Sequence, residues 1–89
     1  MREIEYTWDE RKRVSNLAKH KIDFADMNSF NWGIATIVPD EEYGDRLIAT
    51  SYVDSRVCVA VYTEQESGKI HVISLRKATK EEIRKYAET

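Results

Sequence analysis

Eighty-nine residues, 42% of them hydrophobic and 34% charged, suit one folded domain with a modest core and leave no apolar run near the roughly 18 residues that a membrane helix needs. Fourteen Lys and Arg against sixteen Asp and Glu give a net charge of −2. That excludes a uniformly basic nucleic-acid binder, so any phosphate-binding surface must come from segregated charge. The single cysteine, Cys58, excludes an internal disulfide and the multi-cysteine zinc sites; with no apolar leader at the N-terminus, the expected compartment is the reducing cytoplasm.

In chain order, Ile4–Tyr6 reads as a short edge strand. Asp9 offers an N-cap to a helix over 10–20, with Val14, Leu17 and Ala18 at i, i+3, i+4 as its inward stripe. Lys12, Asn16 and Lys19 fall on the opposite side, with His20 at the margin. Over 11–21, Arg11, Lys12, Arg13, Lys19 and Lys21 stand beside His20 without one acid. Asp23 can cap a second helix over about 24–31, carrying Phe24, Met27 and Phe30. Strand-type sequence follows at Ile34–Val38, then an acidic turn with Asp40, Glu41, Glu42 and Asp45. Further strands are expected over Arg46–Val53, Arg56–Thr63 and Lys69–Leu75, joined by Asp54–Ser55 and Gln65–Gly68. Turns this short make neighbours antiparallel. The nearly unbroken apolar run of Arg56–Thr63 predicts a central strand buried on both faces. Thr79 and Glu82, in capping-box spacing, open a last helix reaching Ala87. The pattern predicts one α+β domain over 1–89: a small antiparallel meander with two N-terminal helices and one C-terminal helix. Val14, Leu17, Phe24, Phe30, Leu47, Val57, Val59, Val61, Ile70, Val72 and Ile83 are its core candidates.

The chemistry-bearing residues are few. Arg76 and Lys77 end the last strand just before a helix N-terminus, where free N–H groups favour anions. Strand alternation sends them to opposite faces and groups Arg76 with Ile70, Val72 and Ser74. An arginine fork can bond two phosphate oxygens at once, so Arg76 is the leading phosphate clamp, with Arg46 as a second. His20 can act as acid or base near neutrality. Two histidines, His20 and His71, without Cys or HExxH companions make no metal signature, and no cofactor is expected.

Three segments together, WDERKRVSNLAKHKIDF (8–24), RLIATSY with RVCVAVYTE (46–64) and VISLRKATKEEIRKY (72–86), resemble the BrnT family of ribonuclease toxins. Trp8, Asp9, Lys12, Asn16, Lys19 and His20 match the first half of its pattern; Ile73, Ser74, Arg76, Ala78, Glu82 and Tyr86 match the second. Lys21 departs from it, standing where the family often has Gly, and Leu75 replaces a usual Ala. The resemblance implies a RelE-like fold and metal-independent endoribonuclease activity that halts translation. It also implies a ribbon-helix-helix antitoxin of the BrnA type, with operator DNA bound only through the toxin–antitoxin complex and no membrane association. On this reading Arg76, His20, Arg46 and Tyr86 carry catalysis, while Lys12, Lys19, Lys77 and His71 bind RNA. The alternative is a non-catalytic, antitoxin-binding or regulatory module in which the motif residues serve the fold.

Overall fold

Strand alternation and short turns dictate the sheet. In the computed structural model, which describes residues 3–89, five strands lie in the order β1-β5-β4-β3-β2. They are β1 (Tyr6–Thr7), β2 (Thr36–Pro39), β3 (Leu47–Val53), β4 (Arg56–Glu64) and β5 (Ile70–Lys77). From β2 to β5 the sheet is the expected antiparallel meander. At the other edge β1 joins β5 in parallel, so the sheet is mixed rather than purely antiparallel. The two-residue turn between β3 and β4 places Asp54 at φ 55, a left-handed conformation that Asp tolerates better than most residues. β4 is central and buried from Val57 through Ala60, as its apolar run predicts.

Directly opposed residues share a face. One face carries Ala49, Ser51 and Val53 of β3 against Ala60, Cys58 and Arg56 of β4. Ile22, Phe24, Met27 and Phe30 pack into the same core as this face. The second N-terminal helix is not an α-helix: Phe24–Ser29 is a 3₁₀ segment with a capping box at Asp23, followed by a single turn at Trp32–Ile34. Six residues suffice to lay Phe24 and Met27 on the sheet, and nothing in that stretch extends the apolar period. Rings meet edge to face at the rim, Trp8 on Phe24, Phe30 on Trp32 and Trp32 on Tyr62.

A bulge corrects the face assignment of β5. The β4–β5 register shifts between Val61 and Tyr62: Val61 pairs with Ser74, Tyr62 with Val72, and Ile73 is the extra residue. Ile70, Val72, Leu75 and Lys77 therefore share the core face, while His71, Ser74 and Arg76 share the other. Arg76 and Lys77 do point to opposite faces, but Arg76 does not sit with Ile70 and Val72.

Helix α1 (Glu10–His20) has the predicted bounds and the Asp9 cap, whose side chain accepts from the Arg11 N–H at 2.9 Å. It ends at Lys21 with φ 60 and the Lys21 N–H bonded to Leu17 C=O, a left-handed C-cap that Gly adopts with less strain. Its inward face is the opposite of the one expected. Val14 is 56% and Leu17 39% exposed, and Ala18 is exposed too; Asn16 is buried instead. The physical reason is what α1 packs against. β1 pairs with β5 only at Ile70 and His71, so farther along β5 has an open edge. There the Asn16 amide bonds both backbone groups of Leu75: its Nδ2 donates to Leu75 C=O at 2.7 Å and its Oδ1 accepts from Leu75 N–H at 3.3 Å. Nδ2 also donates to Ile22 C=O at 3.2 Å. A strand edge demands hydrogen bonds, and an apolar stripe cannot supply them.

Helix α2 (Lys80–Ala87) has the predicted capping box, Thr79 with Glu82. None of its described residues is buried, and Ile83 is 42% exposed. Of the core candidates, Val14, Leu17 and Ile83 thus lie at the surface and Leu47 and Val61 are half-buried, while Phe24, Phe30, Val57, Val59, Ile70 and Val72 are buried.

Asn16→Ala is expected to destabilise the chain by about 2–4 kcal/mol, because it orphans backbone groups of Leu75 and Ile22. Thermal denaturation should show a midpoint lowered by roughly 10–20 °C. An unchanged midpoint would remove Asn16 from this structural role.

Candidate nucleic-acid interface

Because α1 lies along the open edge of β5, the flank of the helix beyond Asn16 and the edge of the strand form a groove. It is a cleft of about 390 Å³ lined by Arg11, Lys12, Ser15, Asn16, Lys19, His20, Ile73 and Ser74. Three residues predicted from sequence, Lys12, Lys19 and His20, converge here. Arg11, Ser15 and Ser74 join them, and sequence reasoning missed all three. Alternation already grouped Ser74 with Arg76; what it does not reveal is that α1 docks on the open edge of β5 beside it. Arg11 and Ser15 follow from the helix once its inward face is known. Among the described residues no carboxylate lines this groove, so the chain's acidic balance is locally reversed. A larger cleft, about 690 Å³ beside Glu3, Tyr6 and Trp32, has a carboxylate and no cation among the described residues that line it. For a polyanion, sign decides over size.

Arg13, the remaining cation of this stretch of α1, is used internally. It pairs with Glu10 and, at 2.8 Å, with Asp23, tying α1 to the 3₁₀ segment.

Arg76 lies across the strand from the core. Its fork is closed on Glu82, with Nη1 to Oε1 at 2.7 Å and Nη2 to Oε2 at 2.9 Å. The same Glu82 Oε1 accepts from the Thr79 N–H at 2.8 Å, so one carboxylate both caps α2 and holds the guanidinium. Hydrogen bonds from Arg76, and from Thr79 in second rank, hold the Glu82 carboxyl down at about 2 against the opposing effect of burial. Tyr86 is also occupied: its Oη donates to Ile34 C=O at 2.7 Å, and its ring meets Tyr52 edge to face. Arg46 stacks over the Tyr43 ring at 4.2 Å, beside the acidic turn. It shares the α2 face with Arg76, but the register offsets them by four residues and two strand spacings, roughly 13 Å along and 10 Å across the sheet. Each guanidinium is held by its own partner, Arg76 by Glu82 and Arg46 by the Tyr43 ring, so the two do not form one clamp as they stand. His71 Nδ1 lies 2.8 Å from Thr7 Oγ1, between β5 and β1. Lys77 is exposed on the core side of the β5 end.

The predicted site residues therefore do not form one centre. Apart from Lys77, on the core side, they divide between the α1–β5 groove and the α2 face, and Ser74 is the link: it lines the groove and shares a face with Arg76 two residues on, about 7 Å along the strand. Cys58, by contrast, is buried in the core, where burial pushes its thiol up. That is the setting of an inert core thiol rather than a nucleophile.

The Arg76–Glu82 pair makes stability pH-dependent. Glu82 is depressed in the folded chain, so its contribution is complete above the ordinary glutamate value near 4.5 and fades as pH falls towards about 2. Both side chains are about a third exposed, 35% and 33%, which limits the pair to about 1 kcal/mol. Melts of wild type and Glu82→Gln should differ by that amount at pH 6, and the gap should narrow steadily as pH falls from about 4.5 towards 2. A gap that persists in acid would assign the loss to something other than the pair.

Comparison with known proteins agrees with this architecture. Residues 8–82 match the family model described as the ribonuclease toxin BrnT of type II toxin–antitoxin systems. The chain is similar to the ribonuclease toxin BrnT of Brucella abortus, known from a crystal structure, at 32% identity and a TM-score of 0.74, over 86% of this chain and 99% of that one. Among curated proteins, none matches.

Proposed function

The chain belongs to the BrnT family of ribonuclease toxins of type II toxin–antitoxin systems, and on that premise we propose that it is an endoribonuclease whose RNA-binding site is the α1–β5 groove. The observation that carries this is the convergence of Arg11, Lys12, Lys19 and His20 with two hydroxyls in one cleft of an otherwise acidic protein. Cations on a rigid helix bind the RNA backbone, and the Ser15 and Ser74 hydroxyls can hydrogen-bond phosphate oxygens.

Cleavage here needs no redox step. The ribose 2′-oxygen attacks the adjacent phosphorus while the bond to the 5′-oxygen breaks. The 2′-OH proton passes to a base, and an acid returns a proton to the leaving oxygen. His20 is the groove's acid–base group, and Lys12 and Lys19 stabilise the charge building on the phosphorane. The products are a 2′,3′-cyclic phosphate and a 5′-OH. The lining set of cations, hydroxyls and an imidazole suits phosphate without a metal, so activity should survive EDTA. Cleavage of this kind in the cell would halt translation, and a ribbon-helix-helix antitoxin of the BrnA type would restrain it.

Arg76 enters this reading through the fold, because its fork is satisfied by Glu82. The same observation favours a second reading. Asn16, Arg76, Glu82 and Tyr86 all make structural bonds, as in a module that binds an antitoxin and does not cleave.

The two readings separate on a single-stranded RNA oligonucleotide. His20→Ala should lower kcat by about 10²–10⁴-fold. Lys19→Ala should lower kcat, as loss of charge stabilisation on the phosphorane does, and flatten the salt dependence of binding by roughly 0.7 in the log–log slope. Arg76→Ala should retain cleavage in the folded fraction. Wild-type protein that binds its antitoxin and leaves RNA intact would establish the second reading.

A further inference from the structure

The surface left unexplained is the outer side of α1. Val14, Leu17 and Ala18 make an exposed ridge at i, i+3, i+4 spacing on an eleven-residue helix. The same helix places Arg11 and Ser15, then Lys19 and Lys12, progressively round from the ridge towards the groove, at about 100° per residue. Ridge and groove are thus two sides of one element, the first apolar and the second cationic.

We propose that this ridge is the docking surface for an acidic amphipathic helix of the antitoxin, seated on Val14, Leu17 and Ala18 with its carboxylates directed at Arg11, Lys12 and Lys19. The proposal rests on the reading of the groove as the RNA site, since it makes the antitoxin compete with RNA for the same cations. Charge complementarity selects the occupant. A neutral or basic helix would cover the apolar ridge and leave the adjoining cations repelled or unpaired. RNA satisfies the cations and has no use for the ridge. A second copy could offer its own acidic turn, Asp40–Asp45, next to exposed Ile37 and Val38. Such a contact is head-to-tail, however, and propagates unless its rotation happens to close.

The test measures affinity for the protein antitoxin of the same operon by titration calorimetry at low and at high salt. Val14→Glu and Leu17→Glu should each weaken binding by roughly tenfold or more at both salt levels, as loss of an apolar anchor does. Lys19→Glu should weaken it mainly at low salt. Ile37→Glu, on the distant β2 edge, should leave it unchanged. RNA cleavage by Leu17→Glu should equal wild type, which also certifies its fold; circular dichroism does so independently. Wild-type affinity in folded Val14→Glu and Leu17→Glu overturns the proposal. So does a loss confined to Ile37→Glu, or an effect of Leu17→Glu on self-association alone. If wild type fails to cleave RNA and Leu17→Glu still loses the antitoxin, the cleavage reading falls and the docking surface stands.

Discussion

One side-chain amide organises this fold. β1 is two residues long and leaves most of the β5 edge without a neighbouring strand. Asn16 takes over where β1 stops, presenting donor and acceptor to Leu75 as another strand would. Because an amide must reach into the edge, α1 lies beside the sheet rather than on its face. Three things follow from that position. The inward side of the helix is polar, its apolar residues are left outside, and its cationic flank comes to rest against the strand. The groove is therefore a by-product of how the edge is satisfied, and its geometry is as rigid as the hydrogen bonds that create it.

Element types were legible where local chemistry alone decides. The Asp9 and Thr79 caps, the alternation of β3 and the unbroken apolar run of β4 mark their elements correctly, because capping and burial on both faces leave local signatures. Features set by distant contacts were not legible. The exposed stripe of Val14, Leu17 and Ala18 reads as a core face to any periodicity rule; only the open edge of β5, fifty-nine residues from Asn16, reverses it. Likewise the bulge at Ile73 depends on the register with β4, and it turns the faces of everything before it. As for the site, the cationic segment was visible as composition, and Lys12, Lys19 and His20 do meet. The pairing of Arg76 with Glu82 was hidden, although Glu82 was read as a cap, because a capping carboxylate has a second oxygen whose partner the sequence does not announce.

Charge segregation reconciles the acidic total with a phosphate-binding surface. The carboxylates of Asp40–Asp45 sit on the turn between β2 and β3, while the cations of α1 border β5 on the other side of the sheet order. Separation of this kind gives the molecule a dipolar field, which orients an approaching polyanion towards α1 before contact. Arg13 and Arg76, whose charges are matched by Asp23 and Glu82, add little to that field and much to the joints between elements.

Helix α2 stands apart from this economy. It buries none of its described residues and meets the rest of the chain through the Arg76–Glu82 fork, the Tyr86 hydroxyl on Ile34 and the Tyr86–Tyr52 ring contact. A helix held by a few side-chain latches, with no apolar face locked into the core, opens at a free energy far below that of the whole molecule. Its amide protons should consequently exchange with solvent through local detachment, while those of β4, enclosed between two paired strands, wait for global unfolding. Two levels of cooperativity are therefore expected: a sheet that melts as one unit, and a C-terminal helix that detaches from it at lower cost.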